Sequence, residues 1–128
     1  MTGMPDSALV TAPMTAADLD EVWALECSVF PYPWSRNNFA DSLASGYDCW
    51  TVRDPAGALV GYYLLMYALD EAHLLDVAVA VGRQGQGLGR QLLEQLAARA
   101  RSQGMASIFL EVRLTNERAL AVYRRLGY

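Results

Sequence analysis

Three glycines alternate with other residues in Arg83-Gln84-Gly85-Gln86-Gly87-Leu88-Gly89-Arg90. Glycines so spaced let successive backbone N–H groups converge on one point. A helix beginning there adds its partial positive charge, so the segment suits a pyrophosphate. Arg83 and Arg90 place full charges at either end. Two familiar nucleotide loops fail on residue identity. A dinucleotide fingerprint needs glycine at position 90, which is Arg, and a P-loop needs Gly-Lys-Ser/Thr in a chain that has no Lys. A ligand-free glycine turn is the plainer alternative, but a tight turn does not require three alternating glycines. Other reactive types are sparse. His73, the only histidine, has no metal partner or adjacent nucleophile in sequence, which points to a strand surface or core position. Cys27 and Cys49 show no CxxC or Cys/His spacing and read as reduced core thiols; no metal site is expected.

The loop needs a strand before it and a helix after it, and hydropathy patterning supplies both. Leu88, Leu92, Leu93, Leu96 and Ala100 share one helical face, Gly104 stops that helix, and Met105 to Val112 reads as a strand. Upstream, Asp54-Pro-Ala-Gly57 is turn chemistry between the strand candidates 47–53 and 58–69. Asp70-Glu71 connects the second of these to a β-rich run, His73 to Val81, which predicts a three-stranded antiparallel meander. One βαβ crossover then spans residues 74–112. Ser7 to Thr11 is a short strand candidate. Thr15 with Asp18 opens a capping-box helix carrying Leu19, Val22, Trp23 and Cys27, and it ends before Pro31. Ser35 caps a second helix bearing Phe39 and Leu43 and closing at Gly46. A last helix is expected from about Asn116, with Ala119, Leu120, Tyr123 and Leu126 on one face and Gly127 as C-cap. The fold class is therefore mixed α/β. The 128 residues, 53% hydrophobic and without repeats or linkers, form one domain, 1–128.

The glycine segment resembles the acetyl-CoA loop of the GNAT acetyltransferases, Gln/Arg-x-x-Gly-x-Gly/Ala, met here by Gln84-x-x-Gly87-x-Gly89. Asn116-Glu-Arg-Ala119-Leu-Ala-Val-Tyr123-Arg-Arg-Leu-Gly127-Tyr128 is similar to that family's second motif, Asn-x-x-Ala-x-x-x-Tyr ending in Gly-Phe or Gly-Tyr. Tyr32-Pro-Trp-Ser35, Leu69-Asp-Glu-Ala72, and Leu110-Glu-Val-Arg113 followed by Asn116 resemble more narrowly its RimI type, which acetylates the N-terminal alanine of a small-subunit ribosomal protein. The resemblance runs from about residue 8 to 128.

That resemblance implies a GNAT acyl-CoA N-acyltransferase fold (α+β, mixed sheet) with acetyl-CoA as co-substrate. It assigns Gln84, Gly85, Gln86, Gly87, Leu88, Gly89 and Arg90 to the cofactor loop, and the backbone of Val77, Ala78 and Val79 to the pantetheine arm. Asn116 is implied to hydrogen-bond the cofactor, with helix capping alone as the alternative. Glu111 is implied as general base and Tyr123 as general acid. Both residue types suit those tasks: a carboxylate can take the proton an amine must lose before attacking a thioester, and a phenol can protonate the departing thiolate. Outside the motif, Glu111 would read as a strand-edge carboxylate facing solvent and Tyr123 as helix packing. Two positions depart from the pattern: Asp76 stands where Asn is frequent, and Gly85 where a basic residue is common. Tyr32 and Trp34 either line the acceptor entrance or simply pack.

Charge separates along the chain. The net charge is −4, yet residues 1–81 hold eleven acids against two Arg, and residues 82–128 hold eight Arg against three acids. A basic second half suits phosphates and an acidic first half a cationic acceptor, or both are solvated surface. Without a basic stripe interleaved with aromatics, direct nucleic-acid binding is not expected. No apolar run reaches membrane-helix length and no signal-type segment opens the chain, so no membrane partner and a cytoplasmic location are expected. The expected activity is acetyl transfer from acetyl-CoA to a protein N-terminal α-amine. The alternatives are a lysine- or small-amine-directed enzyme, or a CoA-binding module without turnover. GNAT chains usually continue beyond Gly-Phe/Tyr with two strands. Their absence after Tyr128 would leave strand 105–112 with an open edge for self-association and would weaken acceptor turnover.

Overall fold

Caps set the first two helices where the sequence places them. In this computed structural model, which describes residues 8–126 except 116 and 117, with side chains for 8–110 and 126, Thr15 N–H donates to Asp18 Oδ2 at 2.8 Å. A 3-10 turn, Ala16–Asp18, leads from it into α1, Leu19–Val29. Ser35 Oγ accepts from Asn38 N–H at 3.1 Å and starts α2, Arg36–Ala44. The strands are β1 (Val10–Pro13), β2 (Asp48–Arg53), β3 (Leu59–Ala68), β4 (Glu71–Val79), β5 (Ser107–Thr115) and β6 (Arg118–Arg125), with α3 (Leu88–Ser102) between β4 and β5. The first strand is displaced from its expected position, because its register places Val10 opposite Arg53 and Pro13 opposite Trp50.

The six strands lie side by side in chain order. Every neighbouring pair is antiparallel except β4 and β5, which run parallel as the crossover through α3 requires. Helices cover both faces. Leu88, Leu92, Leu96 and Ala100 of α3 pack on one with Val52, Val60, Leu65, Leu74 and Ile108. A Cβ on Gly61 would stand 2.8 Å from Leu92 Cδ1 and 2.9 Å from the Ala78 carbonyl, so glycine there is what lets α3 sit close to β3. On the other face, Leu19, Val22 and Leu25 of α1 and Phe39 of α2 pack with Tyr62, Leu64 and Ala78. Each fully buried side chain of this size contributes about 1.5–3 kcal/mol.

Three expectations are corrected. Leu93 turns outward, 43% exposed, because the buried stripe of α3 passes through Leu92 and Leu96. Cys49 is buried as expected, but Cys27 is exposed, since the inward stripe of α1 is Leu19, Val22, Leu25 and Glu26. The largest difference is at the end: Arg118–Arg125 is a strand, β6, rather than a helix. It pairs antiparallel with β5 from Ser107↔Arg125 to Thr115↔Arg118. A row of unpaired β5 N–H and C=O groups would otherwise be left exposed, and pairing satisfies it. The open edge expected at 105–112 is therefore covered, and self-association through it loses its basis.

Candidate active site

The β4–β5 ladder is short. It holds for three register pairs, Glu71↔Ser107, Ala72↔Ile108 and His73↔Phe109, and beyond them the strands part. On the other side of β4 the register with β3 skips Leu75: Leu74 opposes Leu65 and Asp76 opposes Leu64. A skipped residue bends a strand and resets which face its side chains take. Between the parted strands lies a cleft of about 680 Å³. At one end it is walled by Val29 and Phe30 of α1 and its exit, Trp34 of the connector, Met66 and His73; at the other it reaches Gly89 and Leu93 of α3. Asp76, Val77, Ala78 and Val79 run along its floor, and Phe109 and Leu110 border it from β5. The cleft is thus bordered both by the end of α1 with its following connector and by the start of α3.

Of the glycine segment 84–90, Gly89 lines this cleft. Gly85 and Gly87 hold φ values of +79° and +80°, which L side chains rarely adopt, and nothing lies within 4 Å of where their Cβ atoms would be. Gln84 Nε2 donates to the Val79 carbonyl at 3.1 Å and ties the loop back to β4, while Gln86 Nε2 contacts the Gly82 carbonyl at 3.5 Å. The first helical bond of α3 runs from Gln91 N–H to the Gly87 carbonyl, 3.1 Å, so the N–H groups of Leu88, Gly89 and Arg90 precede it. With open space beside the glycines, these helix-start N–H groups are of the kind that can receive an anion. The Leu88 side chain is buried in the core under the first turn of α3. Arg90 is exposed and 3.5 Å from Glu94, and Arg83 is 3.7 Å from Asp54 on the β2–β3 turn.

Of the strand residues expected along a pantetheine arm, Val77, Ala78 and Val79 all border the cleft. The Val77 N–H is engaged by Asp76 Oδ1 at 3.0 Å. Trp34 lines the cleft, whereas Tyr32 points away, 67% exposed. His73 is a half-buried wall residue with Nε2 3.4 Å from Glu71 Oε1 and its ring 5.7 Å from Phe109. Glu111 and Tyr123 are placed by backbone register alone, Glu111 opposite Ala121 and Tyr123 opposite Phe109, and Asn116 lies outside the described residues. Sequence reasoning missed Glu26, which is completely buried beside the cleft. The signal that could have found it is its place on the apolar stripe of α1, four positions after Val22 and three before Val29.

Residues 19–128 match the acetyltransferase (GNAT) family. The chain belongs to that family. The ribosomal protein bS18-alanine N-acetyltransferase of Escherichia coli (strain K12) is 34% identical to it over 115 residues, 90% of this chain and 77% of that protein. The crystal structure of the ribosomal-protein-S18-alanine N-acetyltransferase from Escherichia coli is similar with a TM-score of 0.77 and 31% identity, over 85% of this chain and 70% of that one. N-acetylglutamate synthase from Neisseria gonorrhoeae, solved with coenzyme A and N-acetyl-glutamate, shares the fold with a TM-score of 0.78 at 17% identity, over 94% of this chain and 35% of that one. This GNAT member is an acetyl-CoA-dependent N-acetyltransferase, and its mixed α/β fold is the one its motifs implied.

Proposed function

We propose that this protein acetylates the α-amine of a protein N-terminus, the N-terminal alanine of a small-subunit ribosomal protein, in the cytoplasm. The observation that carries the reading is the continuous cleft joining the glycine segment at Gly89 to the wall formed by Phe30, Trp34 and His73. Similarity to the Escherichia coli ribosomal protein bS18-alanine N-acetyltransferase supports the acceptor class. Among the described residues no helix is long and apolar enough to cross a membrane.

Acetyl-CoA, when bound, supplies an acyl group activated as a thioester. The N–H groups of Leu88, Gly89 and Arg90 hold its diphosphate, and Gly85 and Gly87 keep the approach clear. The parted stretch of β4, Val77 to Val79, aligns the arm that leads to the thioester. Tight alignment of two reactants in one groove removes much of the entropic barrier to their meeting. Glu111 takes the first proton as the ammonium becomes the neutral amine, whose lone pair then forms the N–C bond to the acyl carbon as the C–S bond breaks. Tyr123 gives its proton to the departing sulfur, and the second proton lost by that nitrogen then restores the phenol.

Acetyl transfer from radiolabelled acetyl-CoA to peptides beginning with Ala, run beside a calorimetric CoA titration, tests the reading. Label on the α-amine is the expected result. Binding of CoA with transfer to no amine would leave a binding module, and label confined to lysine would make the side-chain-directed enzyme the better description.

A further inference from the structure

Glu26 carries no assigned role, yet it is the one acidic side chain among the described residues that is completely buried. Its Oε1 accepts from the Tyr62 hydroxyl at 2.6 Å and its Oε2 from the Trp34 backbone N–H at 2.9 Å. These bonds join three separate pieces of chain: α1, the centre of β3, and the connector 30–35 between α1 and α2. Burying a carboxyl group in an apolar core is costly unless its oxygens are satisfied, so its presence needs a structural return. The return lies in what it holds. Trp34 stands on the wall of the cleft, its ring 5.1 Å from that of Phe39, which in turn meets Tyr62 edge-on at 5.7 Å. The connector contains Pro31 and Pro33, which supply no N–H, so the Trp34 N–H is one of few donors by which this segment can be fixed from within.

We propose that Glu26 is a positioning residue for the acceptor: through the Trp34 N–H and Tyr62 it fixes the wall of the cleft against which the incoming amine's chain is aligned, while the acetyl-CoA cradle at 84–90 is untouched by it. The inference rests on the reading that this end of the cleft receives the acceptor. The clamp has a distinctive chemical requirement, namely the two hydrogen bonds to Trp34 N–H and the Tyr62 hydroxyl. Glutamine meets it, because its carbonyl oxygen can accept from Trp34 N–H while its amide donates to the Tyr62 oxygen, which can also accept. Methionine keeps the length and bulk but offers no comparable acceptor, leaving the Trp34 N–H and Tyr62 hydroxyl without this partner.

The full chain carrying Glu26→Gln or Glu26→Met is compared with wild type in two measurements. Steady-state kinetics with an Ala-initiated peptide should show the Met variant with a peptide KM raised about 10-fold and an acetyl-CoA KM within about 2-fold of wild type, and the Gln variant close to wild type in both. Hydrogen exchange at the Trp34 amide, read by NMR without any ligand, should quicken about 10-fold in the Met variant and not in the Gln variant. Equal exchange in wild type and the Met variant would overturn the clamp. So would equal loss of activity in the Gln and Met variants, or a rise in acetyl-CoA KM matching that for peptide. Tyr62→Phe, which removes only one bond, should fall between wild type and Met, and it decides the matter should the Met variant not fold. A wild type that acetylates no α-amine would instead overturn the functional reading, with the clamp still judged by amide exchange.

Discussion

Arg99 Nε of α3 donates to Asp48 Oδ2 of β2 at 2.7 Å, and this pair pins the helix that carries the glycine loop to the sheet beneath it. Asp48 also accepts from Trp50 Nε1 at 2.8 Å and from the Tyr67 hydroxyl, and the Arg99 guanidinium lies 5.0 Å from the Trp50 ring centre. Burial pushes the Asp48 carboxyl up, but the hydrogen bonds from Arg99, Tyr67 and Trp50 outweigh it and hold the pKa below its ordinary value. A folded pKa depressed in this way adds stability that is complete above the unfolded value of about 3.9 and is lost as pH falls through the folded one. Asp48→Asn should therefore cost about 1–3 kcal/mol at pH 7 and flatten the acid limb of the stability curve below pH ~4. Tyr67 adds an alkaline counterpart. Burial, then its bond to Asp48, raise its phenol above the ordinary range, so its contribution is complete below pH ~10 and lost as pH rises through the folded value. Urea melts of wild type, Asp48→Asn and Tyr67→Phe across pH check both limbs.

Gly87→Val should weaken CoA binding through the backbone. Gly87 is the residue preceding α3 and has φ +80°, with no atom within 4 Å of where a Cβ would stand, so strain rather than collision is the penalty. A non-glycine residue held there costs about 1–3 kcal/mol, and relief of that strain would turn the helix-start N–H groups out of their converged arrangement. Gly57, with φ +92° on the β2–β3 turn, is the matched control: Gly57→Val should lose similar stability yet keep its CoA affinity. Calorimetric titration beside thermal melts separates the two effects. Equal CoA affinity in wild type and Gly87→Val would remove the loop from the binding site.

The parts of this molecule legible in its sequence are those decided locally. Thr15 with Asp18, Ser35 with Asn38, and Asp54-Pro-Ala-Gly57 each form where their side-chain chemistry dictates, and the hydropathy period changes at Leu88 as α3 begins. What long-range packing decides was not legible. The segment 118–125 is ambiguous by pattern, since Ala119, Leu120 and Tyr123 can share a helical face while the unbroken apolar run 119–123 also suits a short strand. Its strand form follows from the neighbouring β5, not from local preference. The register skip at Leu75 has no sequence mark, yet it lets Leu74 and Val77, three positions apart, pack toward the same core. Glu26 stands on the apolar stripe of α1, but the partners that account for its burial, Tyr62 and the Trp34 N–H, are brought to it only by the fold.

The two proposed proton carriers should differ in their pH response. Glu111→Gln should lower kcat about 100-fold with little change in acetyl-CoA KM, and the deficit should shrink toward high pH, where more of the acceptor amine is already neutral. Tyr123→Phe should lower kcat without that recovery below pH ~8, where the departing sulfur takes up a proton that the variant does not supply. Initial rates from pH 6 to 10 with one Ala-initiated peptide provide the check. Wild-type rates in both variants would take Glu111 and Tyr123 out of the mechanism.

A peptide that begins with Ala and carries an internal Lys presents both amine classes to the cleft at equal concentration. Reference pKa values of about 8 for an α-amine and 10.4 for Lys leave roughly 10% of the first neutral at pH 7, against well under 0.1% of the second. Availability alone therefore favours the N-terminus by more than 100-fold, before any contact is made. A site built for α-amines should hold that preference as pH rises. An unselective site should lose most of it between pH 7 and 10 as the Lys amine deprotonates. Mass spectrometry of the product at both pH values distinguishes the cases: an N-terminal to Lys ratio that stays above about 100 at pH 10 is the expected outcome, and a fall to the roughly 3–4-fold that neutral-amine fractions alone give at pH 10 would show that amine availability, not the cleft, sets the choice.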